Sequence, residues 1–174
     1  MSNEFNYCPK CNSKNIQYKN NRKWFCSDCG FDLYNNVASA VGCIITNKEG
    51  KVLFEVRGKE PKKNFLALPG GFCDPDETAE EAVKRECREE LGIEVSNIHY
   101  LASFPNTYEY RSITYKTCDL FFTATLNEEE VFTEQKTEVL GTQWRDVREE
   151  NFFQELAFES SKKALTKWIE EVKR

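Results

Sequence analysis

Apolar residues follow two different spacings along the chain, and the switches between them mark its elements. From Val37 to Thr46 the run is apolar and in part β-branched, which predicts a strand. Asn47-Lys48-Glu49-Gly50 reads as a hairpin turn, and Lys51 to Arg57 returns as a second strand. Ala79, Val83, Cys87 and Leu91 then recur at helical spacing, a stripe that would face a core. Before them, Leu68-Pro69-Gly70-Gly71 and Asp74-Pro75-Asp76 are turn chemistry. Thr78 or Asp76 is placed to cap this helix, Glu80 and Glu81 occupy its acidic first turn, and Gly92 stands just beyond its end. Ile98 to Phe104 and Tyr115 to Thr125 read as further strands, and Gly141 to Arg145 as a short one. From Asn151 to Val172 the residues Phe153, Leu156, Ala157, Ala164, Leu165, Trp168, Ile169 and Val172 return to helical spacing, giving one or two C-terminal helices. The pattern alone predicts a mixed α and β domain.

Residues 1–34 stand outside this pattern. Cys8-Pro9-Lys10-Cys11 and Cys26-Ser27-Asp28-Cys29 are two C-x2-C pairs separated by 14 residues. Each pair is suited to grip one side of a tetrahedral Zn²⁺, so the segment reads as a small zinc ribbon with Cys8, Cys11, Cys26 and Cys29 as ligands of a structural zinc. Tyr34-Asn35-Asn36 joins it to a second domain over 37–174. Tyr18, Lys19, Arg22, Lys23, Trp24 and Phe25 lie between the knuckles. Five cations (Lys10, Lys14, Lys19, Arg22, Lys23) against three acids (Glu4, Asp28, Asp32) leave this segment at +2. That is a weak footprint for nucleic acid, and the aromatics are expected to pack a ribbon that has no other core. Cys43, Cys73, Cys87 and Cys118 lack metal spacing and are expected in the core or in loops, Cys73 being the one candidate for an exposed thiol.

The whole chain of 174 residues has a formal net charge of −5 and a single histidine, His99, within a strand pattern. This argues against broad nucleic-acid affinity and against histidine-based catalysis. No long apolar run and no signal-type N-terminus is visible, so no membrane partner and a cytoplasmic location are expected.

The chemistry is concentrated between residues 71 and 93. Glu86, Glu89 and Glu90 are spaced i, i+3, i+4, which places them on one helix face, where like charges repel unless a cation sits between them. Mg²⁺ is held by such carboxylate oxygens and completes its shell with water and substrate phosphate. On a helical wheel the three acids lie on an arc beside the apolar stripe, at the rim of a cleft.

Gly71, Glu77, Arg85, Glu86, Glu89, Glu90 and Gly92 resemble the Nudix box, G-x5-E-x7-R-E-U-x-E-E-x-G-U, at every fixed position, with U bulky and aliphatic. Ile93 fits the last U; Cys87 is the one soft departure and packs as a small hydrophobe. The resemblance implies an α/β/α sandwich with a mixed sheet, and a hydrolase of nucleoside diphosphates linked to another moiety. It implies that Glu86, Glu89 and Glu90, with the Gly71 carbonyl, hold Mg²⁺ or Mn²⁺. It gives Arg85 the task of fixing a box glutamate, and Glu77 a structural or water-mediated one. The general base is left between a box glutamate and a downstream acid. Glu138, ahead of Trp144, stands about where many relatives carry one, and Glu134 competes with it in the acidic segment Glu128 to Glu138.

A ribbon followed by this domain resembles the NADH pyrophosphatase branch, which carries S-Q-P-W-P-F-P-x-S after its box. Over Ser103 to Arg111 only Ser103 and Pro105 agree, with Tyr108 as aromatic for aromatic. Phe-Pro-Asn-Thr-Tyr followed by Asp119-Leu120-Phe121-Phe122 is closer to relatives grouped with ADP-ribose pyrophosphatases. Tyr108 or Tyr110 is suited to stack on a base, and Arg57 or Arg111 to touch phosphate; strand packing and a solvated face are the plainer roles for these residues. The expected substrate is a small nucleotide such as ADP-ribose or a dinucleotide like NAD(H). Decapping of nucleotide-capped RNA presented by the ribbon, and a non-catalytic nucleotide sensor, are the alternatives; a homodimer stays open.

Overall fold

The computed structural model describes residues 5–111, 113–126 and 131–173. Residues 127–130, at the head of the acidic segment, lie outside the described residues. The chain divides into two compact units, one of residues 1–37 with 107–116 and the other of 38–106 with 117–174.

The first unit contains a three-stranded antiparallel sheet of β1 (Ile16–Lys19), β2 (Lys23–Cys26) and β3 (Asp32–Tyr34). Trp24 is its buried centre, with Phe5 at 5.1 Å in edge contact and Tyr18 at 4.8 Å between ring centroids. The aromatics thus form the miniature core expected of them. Lys19 lies over Phe25 at 4.4 Å, covering its outer face.

A mixed sheet runs β6 (Leu66–Ala67), β5 (Val52–Arg57), β4 (Ala38–Thr46), β8 (Ile113–Leu126), β7 (Val95–Tyr110), with β9 (Val139–Arg145) also on β5; it belongs to the second unit except for residues 107–110 of β7 and 113–116 of β8, which count with the first. β4 and β8 are parallel, from Ala38 opposite Thr117 to Thr46 opposite Thr125, while β5 is antiparallel to β4, β6 and β9. Side chains alternate across the sheet as a period of two requires. Val41, Cys43, Ile45, Leu53, Phe122 and Ala124 face α1 (Ala79–Leu91), whereas Ile44, Val52, Phe54 and Phe121 face α2 (Glu159–Val172). A helix on each face makes the α/β/α sandwich.

The strand expected to end near Phe104 runs on to Tyr110, through Pro105. Proline donates nothing to a ladder and is tolerated on an edge strand, which is where β7 lies. The two-residue β6 was not expected, being too short to show a period. The C-terminal segment resolves into a 3-10 turn at Phe152–Gln154 followed by α2.

Candidate metal and active site

α1 begins where its sequence dictates. Thr78 accepts from the Glu81 N–H while Glu81 Oε2 accepts from the Thr78 N–H at 2.8 Å, a reciprocal cap. Gly92 ends the helix in the left-handed region at φ 69° and donates to the Arg88 carbonyl. The last carbonyls find partners in a later segment: Gln135 N–H donates to Glu90 O at 2.9 Å and Thr133 N–H to Leu91 O at 2.8 Å. These bonds bring the chain leading to Glu138 against the end of the helix that bears the acids.

The loop before α1 is fastened to β4. Cys43 N–H donates to Pro69 O, Val41 N–H to Gly71 O at 2.8 Å, and Cys73 N–H to Ser39 O. A carbonyl has two lone pairs, so the Gly71 oxygen keeps one for another partner. A Cβ on Gly71 would lie 2.5 Å from Glu86 Oε1, so glycine is what lets this carboxylate approach the loop.

The three acids differ in environment. Glu89 is open to solvent, Glu86 is half-buried and Glu90 is only 6 % exposed. Two of them thus lie deeper than the rim position expected of all three. Glu90 Oε2 accepts the Gly70 N–H at 2.9 Å. Arg85 spends all five of its N–H donors. Nε and Nη2 take Glu77 bidentately at 3.0 and 2.6 Å, Nη1 serves Glu86 at 2.9 Å and Glu89 at 3.1 Å, and Nη2 also donates to the Phe72 carbonyl at 3.0 Å. One side chain therefore ties the loop, Glu77 and two of the three acids.

A fourth carboxyl joins them. Glu55, on β5 at the parity of Leu53, is 3 % exposed beneath α1 and hydrogen-bonds to Glu90. Burial pushes the Glu55 carboxyl up, opposed by that bond and by the charge of Arg57. Burial likewise holds Glu90 well above the usual carboxylate range, and the charge of Glu55 adds to it. Glu86 is raised by burial against the pull of Arg85. Glu77 is lowered, chiefly by Arg85. Sequence reasoning passed over Glu55; its signal was a single acid inside the apolar strand run Val52-Leu53-Phe54-Glu55-Val56.

Glu138 is close enough for its charge to act on both Glu55 and Glu86, and it pairs with Lys59. Glu134 accepts from Thr142 Oγ1 at 3.5 Å. Arg57 is neither solvated nor turned outward: it is 8 % exposed, donates Nε–H to Pro61 O at 3.0 Å and lies 4.9 Å over Phe158. Its Nη2 has no hydrogen-bond partner among the described residues. Tyr108 and Arg111 belong to the other compact unit, Arg111 exposed over Tyr110 at 5.1 Å and Tyr108 half-buried. Cys73 is half-buried, with its thiol raised by burial, and Cys87 is fully buried.

In the first unit the sulfurs of Cys8, Cys11, Cys26 and Cys29 lie within 4.8 Å of one another, so the four could hold one metal ion. Cys8 Sγ is 3.7 Å from Cys29 Sγ and Cys11 Sγ 3.7 Å from Cys26 Sγ, far beyond a disulfide bond. The two knuckles share one geometry. The residue after the second cysteine is left-handed, Asn12 at φ 59° and Gly30 at φ 70°. Its N–H returns to the first cysteine's carbonyl at 2.8 and 3.0 Å.

No helix among the described residues is long and apolar enough to cross a membrane.

Comparison with known proteins agrees with this architecture. The NAD-capped RNA hydrolase NudC of Vibrio atlanticus (strain LGP32) is 31 % identical over 105 residues, 60 % of this chain and 38 % of that protein. NudC of Pseudomonas fluorescens is 31 % identical over 100 residues, 58 % of this chain and 36 % of its own length. The chain thus spans well under half the length of these curated relatives. A NUDIX hydrolase structure from Nitrosomonas europaea superposes with a TM-score of 0.69 at 23 % identity, covering 98 % of this chain and 92 % of that one. The NUDIX domain model matches residues 37–169, three quarters of the sequence, and the chain belongs to the Nudix family.

Proposed function

We propose that the protein is a divalent-metal-dependent pyrophosphohydrolase that cleaves the diphosphate linkage of a nucleoside diphosphate derivative, ADP-ribose or a dinucleotide of the NAD type. The observation behind this is the set of Glu89, Glu86 and Glu90, graded in that order from open to buried on one helix end, the first two tied to the loop by Arg85 and the third by the Gly70 N–H. Oxygen donors alone suit Mg²⁺ or Mn²⁺. The residues fit such an ion: the carboxyls are crowded and raised by burial, and glycine 71 leaves room for Glu86. Glu86, Glu89, Glu90 and the Gly71 carbonyl would hold it.

When bound, a cation there neutralises diphosphate charge and makes water more acidic. The chain's own residues do the rest. Arg85 holds the rotamers of Glu86 and Glu89, so that both oxygens are aimed before substrate arrives. Glu138 would accept the proton of the attacking water, its side chain steadied by Lys59.

In the first unit the cysteine cluster is proposed as a structural zinc site. Four sulfurs at about 2.3 Å from zinc would be separated by about 3.8 Å in a tetrahedron. Two of the pairs lie at 3.7 Å.

A second reading, hydrolysis of NAD-capped RNA, is favoured by the names of the relatives NudC. A release assay with Mg²⁺ or Mn²⁺ over ADP-ribose, NAD, NADH, FAD, diadenosine polyphosphates and NAD-capped RNA tests both. Turnover of one of these, lost in Glu89→Gln, is expected. Retained turnover in that variant, or none on any substrate, overturns the proposal.

A further inference from the structure

Glu55 is an anomaly of the fold. Its strand neighbours Val52, Leu53 and Phe54 are wholly buried core residues, and its backbone is paired on both sides, to Ala67 of β6 and Thr142 of β9. The side chain points beneath α1, where one oxygen is engaged with Glu90 and Oε2 is buried without a hydrogen-bond partner among the described residues. Buried carboxylate oxygens are normally satisfied, and an orphan in a native site calls for a cause.

Among the described residues no cation of this neighbourhood donates a hydrogen bond to Glu55 or Glu90. Arg85 gives its five N–H groups to Glu77, Glu86, Glu89 and Phe72 O. Lys59 pairs with Glu138, and Arg57, whose charge acts on Glu55, turns its Nε to Pro61 O and its plane to Phe158 while its buried Nη2 makes no hydrogen bond to Glu55 or to any other described residue. Glu86 and Glu138 are close enough for their charges to act on Glu55, and the buried pair Glu55 and Glu90 has no direct bond to a protein cation among the described residues. Glu90 in turn is fixed to the Gly70 N–H, on the same loop as the Gly71 carbonyl.

We propose that Glu55 is a further ligand of the divalent-cation site, offering its buried Oε2 to the ion alongside the Glu90 carboxylate, an inference that rests on the box acting as that site. The cation site would then reach through the helix end into the sheet, with β5 and α1 joined by one ion. Glu55 thereby couples cation occupancy to the packing of α1 on β5.

The test measures Mn²⁺ binding to the full-length, nucleotide-free protein, by the spin-resonance signal of free Mn²⁺ and by the rise in melting temperature that Mn²⁺ produces. Glu55→Gln keeps the shape and a hydrogen bond to Glu90 but removes the charge. It is expected to weaken Mn²⁺ binding about tenfold or more, and to melt without Mn²⁺ no lower than the wild type. Wild-type affinity and stoichiometry in folded Glu55→Gln would overturn the inference. Glu86→Gln separates the two levels: loss there with retention in Glu55→Gln sinks Glu55 alone, and retention in both sinks the box reading as well. Should Glu55→Gln fail to fold, Glu55→Met fills the same space, with the same expected loss.

Discussion

Arg85 and Glu77 lie fork to fork, Nε to Oε2 at 3.0 Å and Nη2 to Oε1 at 2.6 Å, and this pair is the hinge pin between the loop and the helix. Glu77 also accepts the Asp74 N–H at 2.6 Å, so the loop folds back onto the arginine that holds Glu86 and Glu89. Arg85→Lys replaces a planar fork by a point donor and leaves Glu77, Phe72 O or Glu86 short of a partner. A loss of about 1–3 kcal/mol is expected, lowering the melting temperature by several degrees, together with a fall in kcat. Thermal melts and steady-state kinetics on the same preparation check it.

Glu89 is the acid whose removal should separate activity from stability. Its side chain is 55 % exposed and, among the described residues, is held by one bond to Arg85. Glu89→Gln is expected to lower kcat about a hundredfold or more while leaving the melting curve in place. A melting temperature that falls with the activity would contradict the assignment.

Gly71→Ala sets a methyl group against Glu86 Oε1. The carboxylate must swing away, and Arg85 must yield with it. The concentration of Mg²⁺ giving half-maximal activity is expected to rise about tenfold, with circular dichroism unchanged.

The buried pair Glu55 and Glu90 sets a pH dependence of unusual sign. Both folded-state carboxyls are raised, Glu55 to about 7, so the native protein binds more protons than the unfolded chain above the ordinary glutamate value of about 4.3. Their contribution to stability is full below that value and is lost as pH rises towards about 7. Without added Mg²⁺ or Mn²⁺, the melting temperature is expected to fall across this window, and Glu55→Gln to flatten the fall. Added Mg²⁺ should reverse the trend, since the cation competes with the shared proton. A pH series of melts with and without Mg²⁺ decides it.

For the ribbon, elemental analysis is expected to find one zinc per chain, and Cys26→Ser to lose it. Cys26 is fully buried, with Cys8 and Cys29 in its cluster, and a ribbon whose core is little more than Trp24 should not hold its fold without the ion. Retained ordering of the Trp24 fluorescence after zinc loss would tell against that dependence.

Local rules were written in the sequence. The helix over 79–91, its Thr78 cap, its Gly92 stop and its stripe of Val83, Cys87 and Leu91 follow from spacing and capping chemistry that act within a few residues. The knuckle cysteines and the box acids are legible for the same reason. Non-local relations were hidden. The parallel pairing of β4 with β8, the run of β7 through Pro105 and the closure of α1 by Thr133 and Gln135 all join distant residues. So does the burial of Glu90, which looked like a rim acid on a helical wheel but lies over Glu55 of a strand 35 positions earlier. Helix periodicity states which residues share a face. Only the packing of that face on β5 decided which of its carboxylates would lose water, and therefore which of them meet as a buried pair.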